Sequence, residues 1–598
     1  MRLNHYILTC GGTACESNKG DEIYKRLVEE AKKQGAGDQV QIVKTGCFGF
    51  CEKGPIVKVL PEESFYVEVK PEDAGEIIAE QIVKGREVPR LLYQKDDGEK
   101  KKSVSSVENI DFYRKQVRVV LRNCGFIDPE NIDEYIARDG YVGLEKALFR
   151  MSAEDIIGEL KASGLRGRGG AGFPTWIKWD TTRKAQNDTK YVVCNADEGD
   201  PGAYMDRSTI EGDPHSIIEA MAICGKVIGS GQGYIYIRAE YPLAVHRLEI
   251  ALNQARDYGL LGRDILGSGF DFDIEIRLGA GAFVCGEETA LIKSLEGSRG
   301  MPVPKPPFPA ISGLWGKPTV INNVETLANI PVVMTRGGPA LAKMGTEKSK
   351  GTKVFALTGK VENSGLVEVP MGTTLREIVF DIGGGIKNNR KFKGVQTGGP
   401  SGGILTEKAL DTPIDYESLT AMGSMMGSGG MIVMDEDDCV VDVARFYMDF
   451  CVDESCGKCS PCRIGTSQIL GILEKIARGN GVEEDLAKLE SIGKAMTKTS
   501  LCMLGGSAAN PTLSTVRNFR DEYLEHIHDK KCRAGKCKHL LRFEIDPEKC
   551  IGCGLCARRC PAGCIAGEKR QPHTIDQGKC IKCGECYKNC KFAAIKKA

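Results

Sequence analysis

Cysteine is the residue type that this chain groups most clearly for metal chemistry. The 598 residues include 25 cysteines, of which four lie between positions 10 and 51 and seventeen lie between positions 439 and 590. Thiolates ligate zinc and iron–sulfur clusters, whereas disulfide scaffolds are typical of short secreted chains. We therefore expect cysteine-rich metal modules at both ends of the chain and a different kind of site in the middle.

The strongest pattern is a repeat near the C-terminus, "CIGCGLCARRCP" and "CIKCGECYKNCK". Each copy reads C-x2-C-x2-C-x3-C, the pattern of bacterial ferredoxins with two 4Fe–4S clusters, in which the fourth cysteine of each run ligates the other cluster. The repeat thus predicts one cluster on Cys550, Cys553, Cys556 and Cys590, and a second on Cys580, Cys583, Cys586 and Cys560. Zinc knuckles or buried thiols are the alternative, and Cys564 lies outside the pattern.

The N-terminal cysteines form two pairs, each after a predicted strand. Their spacing is C-x4-C-x31-C-x3-C, and a thioredoxin-like fold would bring Cys10, Cys15, Cys47 and Cys51 together. Four thiolates suit a 2Fe–2S cluster, which is the prediction here, although a zinc site would satisfy the same count. This unit resembles the thioredoxin-like ferredoxins.

A third group lies in "ESCGKCSPCRIG", where Cys456, Cys459 and Cys462 are separated by two residues each. A 4Fe–4S cluster needs one more thiolate. Cys502, in "TSLCMLGGSAANP", is the predicted fourth ligand because it lies on a loop between predicted helices. Cys451 is the alternative, but "YMDFCVDE" reads as the end of a helix.

The segment "EHIHDKKCRAGKCKH" carries His526, Cys532 and Cys537 close together. One more cysteine would complete a zinc site of three thiolates and one imidazole. Cys439 is the predicted fourth ligand, with Cys451 and Cys564 as rivals and unliganded thiols as the alternative to any site. Four cysteines lie singly in apolar or loop surroundings and are expected to be buried thiols: Cys124, Cys194, Cys224 and Cys285.

The middle of the chain holds two glycine-rich segments. In "GLRGRGGAGFPTWIKW" (164–179) the glycines lead toward a helix, so freed backbone N–H groups predict a phosphate site, with a flexible loop as the alternative. The second, "RLGAGAFVCGEETALIKSLEG" (277–297), follows a strand-like run and resembles a dinucleotide fingerprint. Its acidic pair, Glu287 and Glu288, should repel a phosphate, which argues against an ordinary Rossmann site.

These sites require a multidomain α/β and α+β architecture. We predict a thioredoxin-like 2Fe–2S domain (1–95), an α/β domain with glycine-rich loops (110–340), a small ubiquitin-like α+β domain (350–435), a helical 4Fe–4S domain (436–535) and a ferredoxin domain with two 4Fe–4S clusters (540–598). The polar stretch "QKDDGEKKKSVSSVEN" is predicted to be a linker.

Charge and hydropathy exclude several classes of partner. Lys+Arg and Asp+Glu both number 81, so nothing favours nucleic acid or an anionic membrane. No apolar run of about 18 residues is present, and the N-terminus lacks a signal-peptide pattern, so we expect a cytoplasmic protein.

Several motifs carry a family resemblance: "LRGRGGAGFPT", "CNADEGDPGAYMDR", "GAGAFVCGEETAL", "KPPFPA", "VINNVETLANI" and "ESCGKCSPCRIG…SLCMLG". Together they resemble the NADH-oxidising flavoprotein subunit of respiratory complex I over residues 110 to 530. The additional modules at both ends are similar to the β subunit of electron-bifurcating FeFe hydrogenases. NADP-reducing hydrogenases and NAD-linked formate dehydrogenases have similar subunits.

The resemblance implies that residues 110–340 bind FMN without a classical Rossmann fold, with NAD(H) stacked on the flavin. It also implies that residues 350–435 form an SLBB domain. It places around the FMN the residues Gly167, Arg168, Gly169, Gly170, Lys178, Asn195, Asp197, Glu198, Gly286, Glu287, Asn322, Asn323 and Thr326. It assigns the nicotinamide nucleotide to Phe173, Glu288, Lys305 and Phe308. No catalytic side chain beyond the FMN is implied, because hydride transfer needs no acid or base.

The function that the resemblance implies is that of a diaphorase subunit in an anaerobic hydrogenase complex. Such a subunit exchanges hydride between NAD(H) and FMN and passes single electrons through one 2Fe–2S and three 4Fe–4S clusters. The expected partners are a catalytic FeFe hydrogenase subunit, a small thioredoxin-like 2Fe–2S subunit and ferredoxin. The alternatives are a NADP-reducing hydrogenase, a formate dehydrogenase, or an electron-relay protein that binds no flavin.

Overall fold

The computed structural model of the chain describes residues 4–96, 101–104 and 106–597. It divides into two compact units, the first formed by residues 1–390 and 395–433, and the second by residues 391–394 and 434–598. Within the described residues, no helix is both long enough and apolar enough to cross a membrane.

The strands and helices of the first unit, including two strands that extend into residues of the second, have the following bounds. The strands are β1 His5–Cys10, β2 Val40–Thr45, β3 Val57–Leu60, β4 Ser64–Tyr66, β5 Tyr93–Asp96, β6 Lys101–Val104, β7 Tyr191–Ala196, β8 Gln232–Arg238, β9 Asp273–Gly279, β10 Thr319–Asn323, β11 Thr352–Gly359, β12 Gly365–Pro370, β13 Phe392–Thr397, β14 Ile404–Leu405 and β15 Gly430–Asp435. The α-helices are α1 Thr13–Ser17, α2 Gly20–Lys33, α3 Ala74–Ile77, α4 Asp111–Arg114, α5 Ile132–Ile136, α6 Val142–Phe149, α7 Ala153–Ser163, α8 Thr175–Lys184, α9 Met205–Gly212, α10 Pro214–Ile228, α11 Pro242–Asp257, α12 Glu288–Leu295, α13 Val324–Ala328, α14 Ile330–Arg336, α15 Gly338–Ala342 and α16 Tyr416–Ala421.

The N-terminal sheet has the order β2-β1-β3-β4, with β1 and β2 parallel and the other pairs antiparallel. Helix α2 makes the parallel crossover and buries Ile23, Leu27 and Ala31 on one face, as its period of 3.6 residues requires. The predicted thioredoxin-like arrangement is confirmed. Cys10 lies at the end of β1, and Cys47 follows β2.

The predicted linker is partly structured. Strands β5 and β6 pair antiparallel, with Tyr93 opposite Val104, so the linker prediction is wrong for these residues. Backbone pairing needs no apolar side chains, which explains why a polar sequence concealed the hairpin. Residues 97–100 and 105 of that stretch lie outside the described residues.

The sheet that positions the central site is all parallel, in the order β10-β7-β8-β9. The two inner strands, β7 and β8, are short and largely buried, as expected for the centre of a parallel sheet. Helix α10 packs here and is buried along nearly its whole length. The core continues through Trp179, which is fully buried in α8.

A mixed five-stranded sheet follows, in the order β12-β11-β15-β13-β14. Its central pair, β11 and β15, is parallel, while β12 and β14 pair antiparallel with β11 and β13. This is the α+β arrangement predicted for residues 350–435. Its assignment as a ubiquitin-like SLBB domain stays a prediction.

The second unit combines a helical part with a small β part. Its helices are α17 Val440–Asp453, α18 Ser460–Ala477, α19 Glu484–Thr499, α20 Met503–Ser507, α21 Asn510–Asn518, α22 Arg520–Leu524, α23 Leu555–Arg558 and α24 Glu585–Asn589, and its strands are β16 Phe543–Ile545, β17 Ile565–Ala566, β18 Thr574–Ile575 and β19 Ile595–Lys597. Strand β16 pairs with β19 and β17 with β18, so the sequence repeat is also a structural repeat.

Candidate cofactor sites

The central site lies at the carboxyl ends of the parallel strands. After β7 the chain passes through α9 and α10 to β8, which pairs with one edge of β7. Strand β10 pairs with the opposite edge of β7. This change of direction is a topological switch point, where open α/β sheets bind ligands. Asn195 near the end of β7 lies directly opposite Asn323 of β10, so residues predicted from separate motifs lie side by side at this edge.

The first glycine-rich segment leads into α8 beside these strand ends. The guanidinium of Arg168 is fully buried and donates to the backbone carbonyls of Thr352, Arg166 and Lys350 at 2.6–3.0 Å. The Arg168 backbone N–H donates to Thr326 Oγ1 at 2.8 Å. The side chain of Arg168 therefore holds the loop in place, which leaves the backbone of the loop to contact a bound phosphate.

Two of the glycines in this loop lie close to neighbouring segments. A Cβ on Gly169 would lie 3.1 Å from the Cβ of Asn323, which ties the loop to the end of β10. Gly170 has φ +121°, and a Cβ there would lie 3.2 Å from the backbone of Gly427. A fixed, glycine-lined backbone fits the predicted phosphate cradle.

The acidic pair is neutralised rather than repulsive. Glu287 caps α12, with Oε2 accepting the N–H groups of Thr289 and Ala290 at 2.9 and 3.0 Å. Lys305 Nζ lies 2.6 Å from Glu288 and 3.0 Å from Glu287, and Lys178 Nζ lies 3.1 Å from Glu288. The N-terminus of α12 is thus already satisfied by a carboxylate, which excludes a phosphate there for a reason other than the predicted repulsion.

The ion pairs with Lys178 and Lys305 lower the pKa of Glu288. Burial opposes the charge on Glu288, but Lys178 and Lys305 hold its pKa below the usual value. Two lysines against two glutamates leave the site formally neutral.

Two aromatic side chains predicted to contact the nucleotide are exposed. Phe173 is 47% exposed and Phe308 is 57% exposed. Exposed aromatic faces are suited to stacking on a nucleotide base.

Glu198, Asn322 and Asn323 support the strand-end loops. Glu198 accepts the N–H groups of Asp206 and Arg207 at 3.0 and 3.1 Å and so caps α9. Burial raises the pKa of Glu198 to about 7. Asn322 accepts the indole N–H of Trp179 at 2.8 Å, and Asn323 caps α13.

Asn195 joins β7 to the second glycine-rich loop. Its Nδ2 donates to the Gly286 carbonyl at 2.9 Å, and its Oδ1 accepts the Asp197 N–H at 3.1 Å. Gly286 itself lies close to Asp197, since a Cβ at Gly286 would be 3.5 Å from the Asp197 carbonyl oxygen. The predicted flavin residues of both loops are therefore brought together.

The four N-terminal cysteines come together on two loops of the thioredoxin-like domain. The sulfurs of Cys47 and Cys51 are 3.9 Å apart, and the Cys10 thiol contacts both Cys15 and Cys47. The Gly49 N–H points at the Cys47 sulfur at 3.3 Å. Two neighbouring thiol pairs fit a 2Fe–2S cluster, with two thiolates for each iron.

Sequence reasoning missed two residues beside these cysteines. Tyr204 hydrogen-bonds Cys51, and the charge of Arg207 acts on the same thiol. Both residues belong to the motif "CNADEGDPGAYMDR", whose predicted role is contact with the flavin alone. The missed signal is the Tyr-x2-Arg pattern at the end of that motif.

In the helical part, Cys459 and Cys502 directly precede α18 and α20. The charges of Cys456, Cys459 and Cys502 all act on Cys462, whose pKa burial raises to about 11. Cys451, the alternative ligand, is instead buried inside α17 among the apolar core of the bundle. The structure therefore brings Cys502 to the group.

The C-terminal cysteines line two cavities whose composition follows the crossed pattern. One cavity is lined by the first predicted set, Cys550, Cys553, Cys556 and Cys590. The other is lined by the second set and one additional residue: Cys560, Cys580, Cys583, Cys586 and Cys564.

The proposed zinc ligands also meet. Cys439, His526, Cys532 and Cys537 are buried, with ligand atoms all within 4.8 Å of one another. Cys439 Sγ lies 3.7 Å from Cys537 Sγ and 3.4 Å from His526 Nε2. A tetrahedral zinc site places such pairs about 3.8 and 3.6 Å apart.

The other ring nitrogen of His526 is held by the Glu522 carbonyl at 2.7 Å, the outer contact typical of a ligating histidine. The rival cysteines 451 and 564 are not part of this group. The four single cysteines are buried as expected: Cys124, Cys194, Cys224 and Cys285.

Comparison with protein families defines the class of protein. The chain matches the thioredoxin-like [2Fe-2S] ferredoxin at residues 2–81 and the Nuo51 FMN-binding domain at 160–332. It also matches the NADH-ubiquinone oxidoreductase-F iron-sulfur binding region at 442–526, and the 4Fe-4S binding domain at 543–566 and 573–596. These are the domains of an iron–sulfur flavoprotein.

Whole-chain relatives narrow this class. The chain is 60% identical over 460 residues to the NADP-reducing hydrogenase subunit HndC of Solidesulfovibrio fructosivorans, covering 77% of this chain and 94% of the relative. It is 45% identical to a NADH-quinone oxidoreductase subunit of Rhizobium meliloti, covering 69% and 98%. It is also similar to a chain of a NAD+-reducing [NiFe]-hydrogenase structure, with TM-score 0.62, 28% identity and coverage of 88% and 85%. The chain belongs to the family of oxidoreductase subunits that contains HndC and its NADH-quinone oxidoreductase relatives.

Proposed function

We propose that this chain is the diaphorase subunit of a hydrogenase complex, in which FMN exchanges hydride with a nicotinamide nucleotide. The observation that carries the proposal is the switch point between β7 and β10. There the FMN-domain motifs converge, in a chain that also supplies four groups of four cysteines. When bound, FMN accepts two electrons as hydride and releases them singly, which iron–sulfur clusters require.

The residues present would hold FMN mainly through the backbone. The loop approaches the end of β10 at Gly169, and the N–H groups of Gly169 and Gly170 are suited to the phosphate and ribityl chain. The Gly167 N–H instead donates to the Phe173 carbonyl at 2.8 Å within the loop. The strand-end side chains orient the flavin: Asn195, Asp197, Glu198, Asn322 and Asn323. Arg168 and Thr326 stabilise the conformation of the loop, because their contacts are with the protein backbone and with each other.

We infer that the nicotinamide nucleotide lies between Phe173 and Phe308. Both rings are exposed, and Lys305, which precedes Phe308 closely in the chain, bridges Glu287 and Glu288. The two exposed aromatic faces, which are suited to stacking on a base, support NAD(H) binding. The name of the hydrogenase subunit HndC supports NADP(H) as a second candidate.

For the metals, we propose one 2Fe–2S cluster, three 4Fe–4S clusters and one zinc ion. The 2Fe–2S ligands are Cys10, Cys15, Cys47 and Cys51, and the first 4Fe–4S cluster is held by Cys456, Cys459, Cys462 and Cys502. The crossed sets of the C-terminal repeat hold the other two clusters. Zinc is held by Cys439, His526, Cys532 and Cys537, where it would brace the segment that leads to the ferredoxin-like part.

We further propose an FeFe hydrogenase subunit, a small 2Fe–2S subunit and ferredoxin as partners, with electron bifurcation as the overall activity. The combination of a flavoprotein core with cluster modules at both ends supports this, because such a chain can deliver electrons to more than one acceptor. Purification of the native complex under anaerobic conditions, with identification of its subunits, separates a hydrogenase from a formate dehydrogenase.

One experiment tests the central proposal. The full chain is purified anaerobically, its FMN, iron and zinc are quantified, and its flavin absorbance is followed as NADH or NADPH is added. We expect stoichiometric FMN, bleaching by one of the nucleotides, and viologen reduction. A fully iron-loaded chain that neither binds FMN nor reduces viologen would be an electron relay instead, and iron-loaded protein without zinc would remove the zinc site.

A further inference from the structure

The second ferredoxin-type cavity contains one thiol more than a 4Fe–4S cluster needs. Five cysteines line it, namely Cys560, Cys564, Cys580, Cys583 and Cys586. The crossed pattern uses four of them and leaves Cys564. This side chain is only 5% exposed, so it is a buried thiol facing a cavity where a cluster is proposed.

Cys564 lies directly beside one of the predicted ligands. Its sulfur is 3.3 Å from that of Cys560, closer than the 3.9 Å between Cys47 and Cys51. Its backbone N–H also contacts the Cys560 sulfur. The two thiols therefore occupy neighbouring positions at one corner of the cavity.

The backbone fixes Cys564 in this position. Its carbonyl accepts the Asp576 N–H at 2.8 Å, and the next residue, Ile565, pairs with Ile575. These backbone contacts fix the Cα of Cys564 at the edge of the cavity. The close contact is thus a property of the local fold.

The repeat supplies an internal comparison. Ala594 is the equivalent of Cys564, since it lies four residues after Cys590 as Cys564 lies four after Cys560. Its carbonyl accepts the Asp546 N–H at 2.7 Å, its N–H contacts the Cys590 sulfur at 3.4 Å, and it lines the first cavity. The two positions differ in the side chain, one a thiol and the other a methyl group.

We propose that Cys564 is an alternative ligand for the cluster in the second cavity, able to replace Cys560 at the same iron. This rests on the proposed function, which places a 4Fe–4S cluster there. In the exchange, the bond from iron to the Cys560 sulfur breaks and the bond from iron to the Cys564 sulfur forms. The Cys564 proton passes to Cys560, and no electron is gained or lost.

The exchange gives the second cluster a protection that the first lacks. A cluster that loses one thiolate becomes labile, because one iron is then held by three sulfides alone. At the second cavity a neighbouring thiol can close that iron again, whereas at the first cavity the methyl group of Ala594 cannot. The two clusters should therefore respond differently to loss of the corresponding ligand.

The test compares equivalent variants of the full chain, purified anaerobically. Cys560→Ala should keep the iron content of the unmodified chain, with an altered EPR spectrum of the reduced cluster because its ligand geometry has changed. Cys590→Ala should lose between about one and four iron atoms, the range between opening one corner and losing a 4Fe–4S cluster. Cys564→Ala should keep all of its iron.

Two double variants complete the comparison. Cys560→Ala with Cys564→Ala should lose iron as Cys590→Ala does, and Cys590→Ala with Ala594→Cys should regain it. Equal loss from Cys560→Ala and Cys590→Ala, or equal retention by both, would overturn the proposal. An unmodified chain that lacks the iron and EPR signals of two 4Fe–4S clusters in this domain would instead refute the proposed cofactor content, and the alternative ligand with it.

Discussion

The glycine-rich loop before α8 offers a test of the FMN site through a single methyl group. Gly170 has φ +121°, and a Cβ there would lie 3.2 Å from the backbone of Gly427, which has no flexible side chain to yield. Gly167 is in the same loop without this restriction, and its Cβ would first meet the Phe173 carbonyl oxygen at an ordinary 3.5 Å. Gly170→Ala and Gly167→Ala are therefore a matched pair.

The size of the effect follows from backbone strain. Holding a non-glycine residue in such a region costs about 1–3 kcal/mol. If the loop relaxes when FMN is absent, that strain appears as lost affinity, about 5- to 150-fold at 1.4 kcal/mol per factor of ten. If the loop stays in place, the same amount appears as a lower free energy of unfolding.

The assay measures both quantities. FMN dissociation constants come from flavin fluorescence, and the unfolding free energy comes from tryptophan fluorescence in urea. Together, the two losses in Gly170→Ala should reach about 1–3 kcal/mol, while Gly167→Ala should change each by less than about 0.5 kcal/mol. Equal behaviour of the two variants would show that the loop does not have the conformation on which the cradle depends.

Three further expectations concern titration, a cluster ligand and the nucleotide. Burial raises the pKa of Glu198 to about 7, compared with about 4.3 in the unfolded chain. Its contribution to the free energy of unfolding is therefore complete below about pH 4.3 and is lost as the pH rises through about 7. In urea unfolding, the free energy of unfolding of Glu198→Gln should fall less steeply between about pH 5 and 7 than that of the unmodified chain. Cys502→Ala should lose between about one and four iron atoms, whereas Cys451→Ala should keep them, and iron analysis that reverses this order would assign the ligand to Cys451. Phe308→Ala should raise KM for the nucleotide about 2- to 12-fold at unchanged kcat, the equivalent of about 0.5–1.5 kcal/mol of stacking. The control is Phe149→Ala, which removes a similarly exposed ring from α6 and should leave KM unchanged. Equal KM values for the two variants would place the nucleotide elsewhere.

The cysteine sites could be predicted from sequence because metal geometry fixes ligand spacing locally. Two-residue gaps bring thiolates to one face of a turn, so the three-cysteine runs starting at Cys456, Cys550 and Cys580 needed no knowledge of the fold. Exchanging Cys560 and Cys590 between the two ferredoxin sets did need it. Choosing Cys439 and Cys502 required an assumption about which segments meet. Cys451 is the alternative ligand both for the cluster at Cys456–Cys462 and for the zinc site. It lies buried inside α17 and is part of neither group.

The contact partners of the charged side chains could not be predicted from local spacing. The family resemblance implies that Arg168 contacts the FMN, yet its guanidinium donates to carbonyls of residues more than 180 positions away. Glu287 is expected to repel a phosphate, but it caps a helix and pairs with Lys305. Such contacts depend on tertiary packing, which no local pattern contains.

Helix α9 is the element that connects the flavin edge with the N-terminal cysteines. Its first turn is capped by Glu198, from the loop after β7, and Asp206 in that turn accepts a hydrogen bond from Asn323 of β10. Beside the same turn, Tyr204 contacts Cys51 and Arg207 places its positive charge near that thiol. A nearby cation favours the reduced, more negative form of a cluster and so raises its reduction potential. One helix terminus thus contacts both the strand-end side chains proposed to orient the flavin and the cysteines proposed to hold the 2Fe–2S cluster. We therefore expect a substitution at Arg207 to lower the reduction potential of that cluster while KM for the nucleotide stays unchanged.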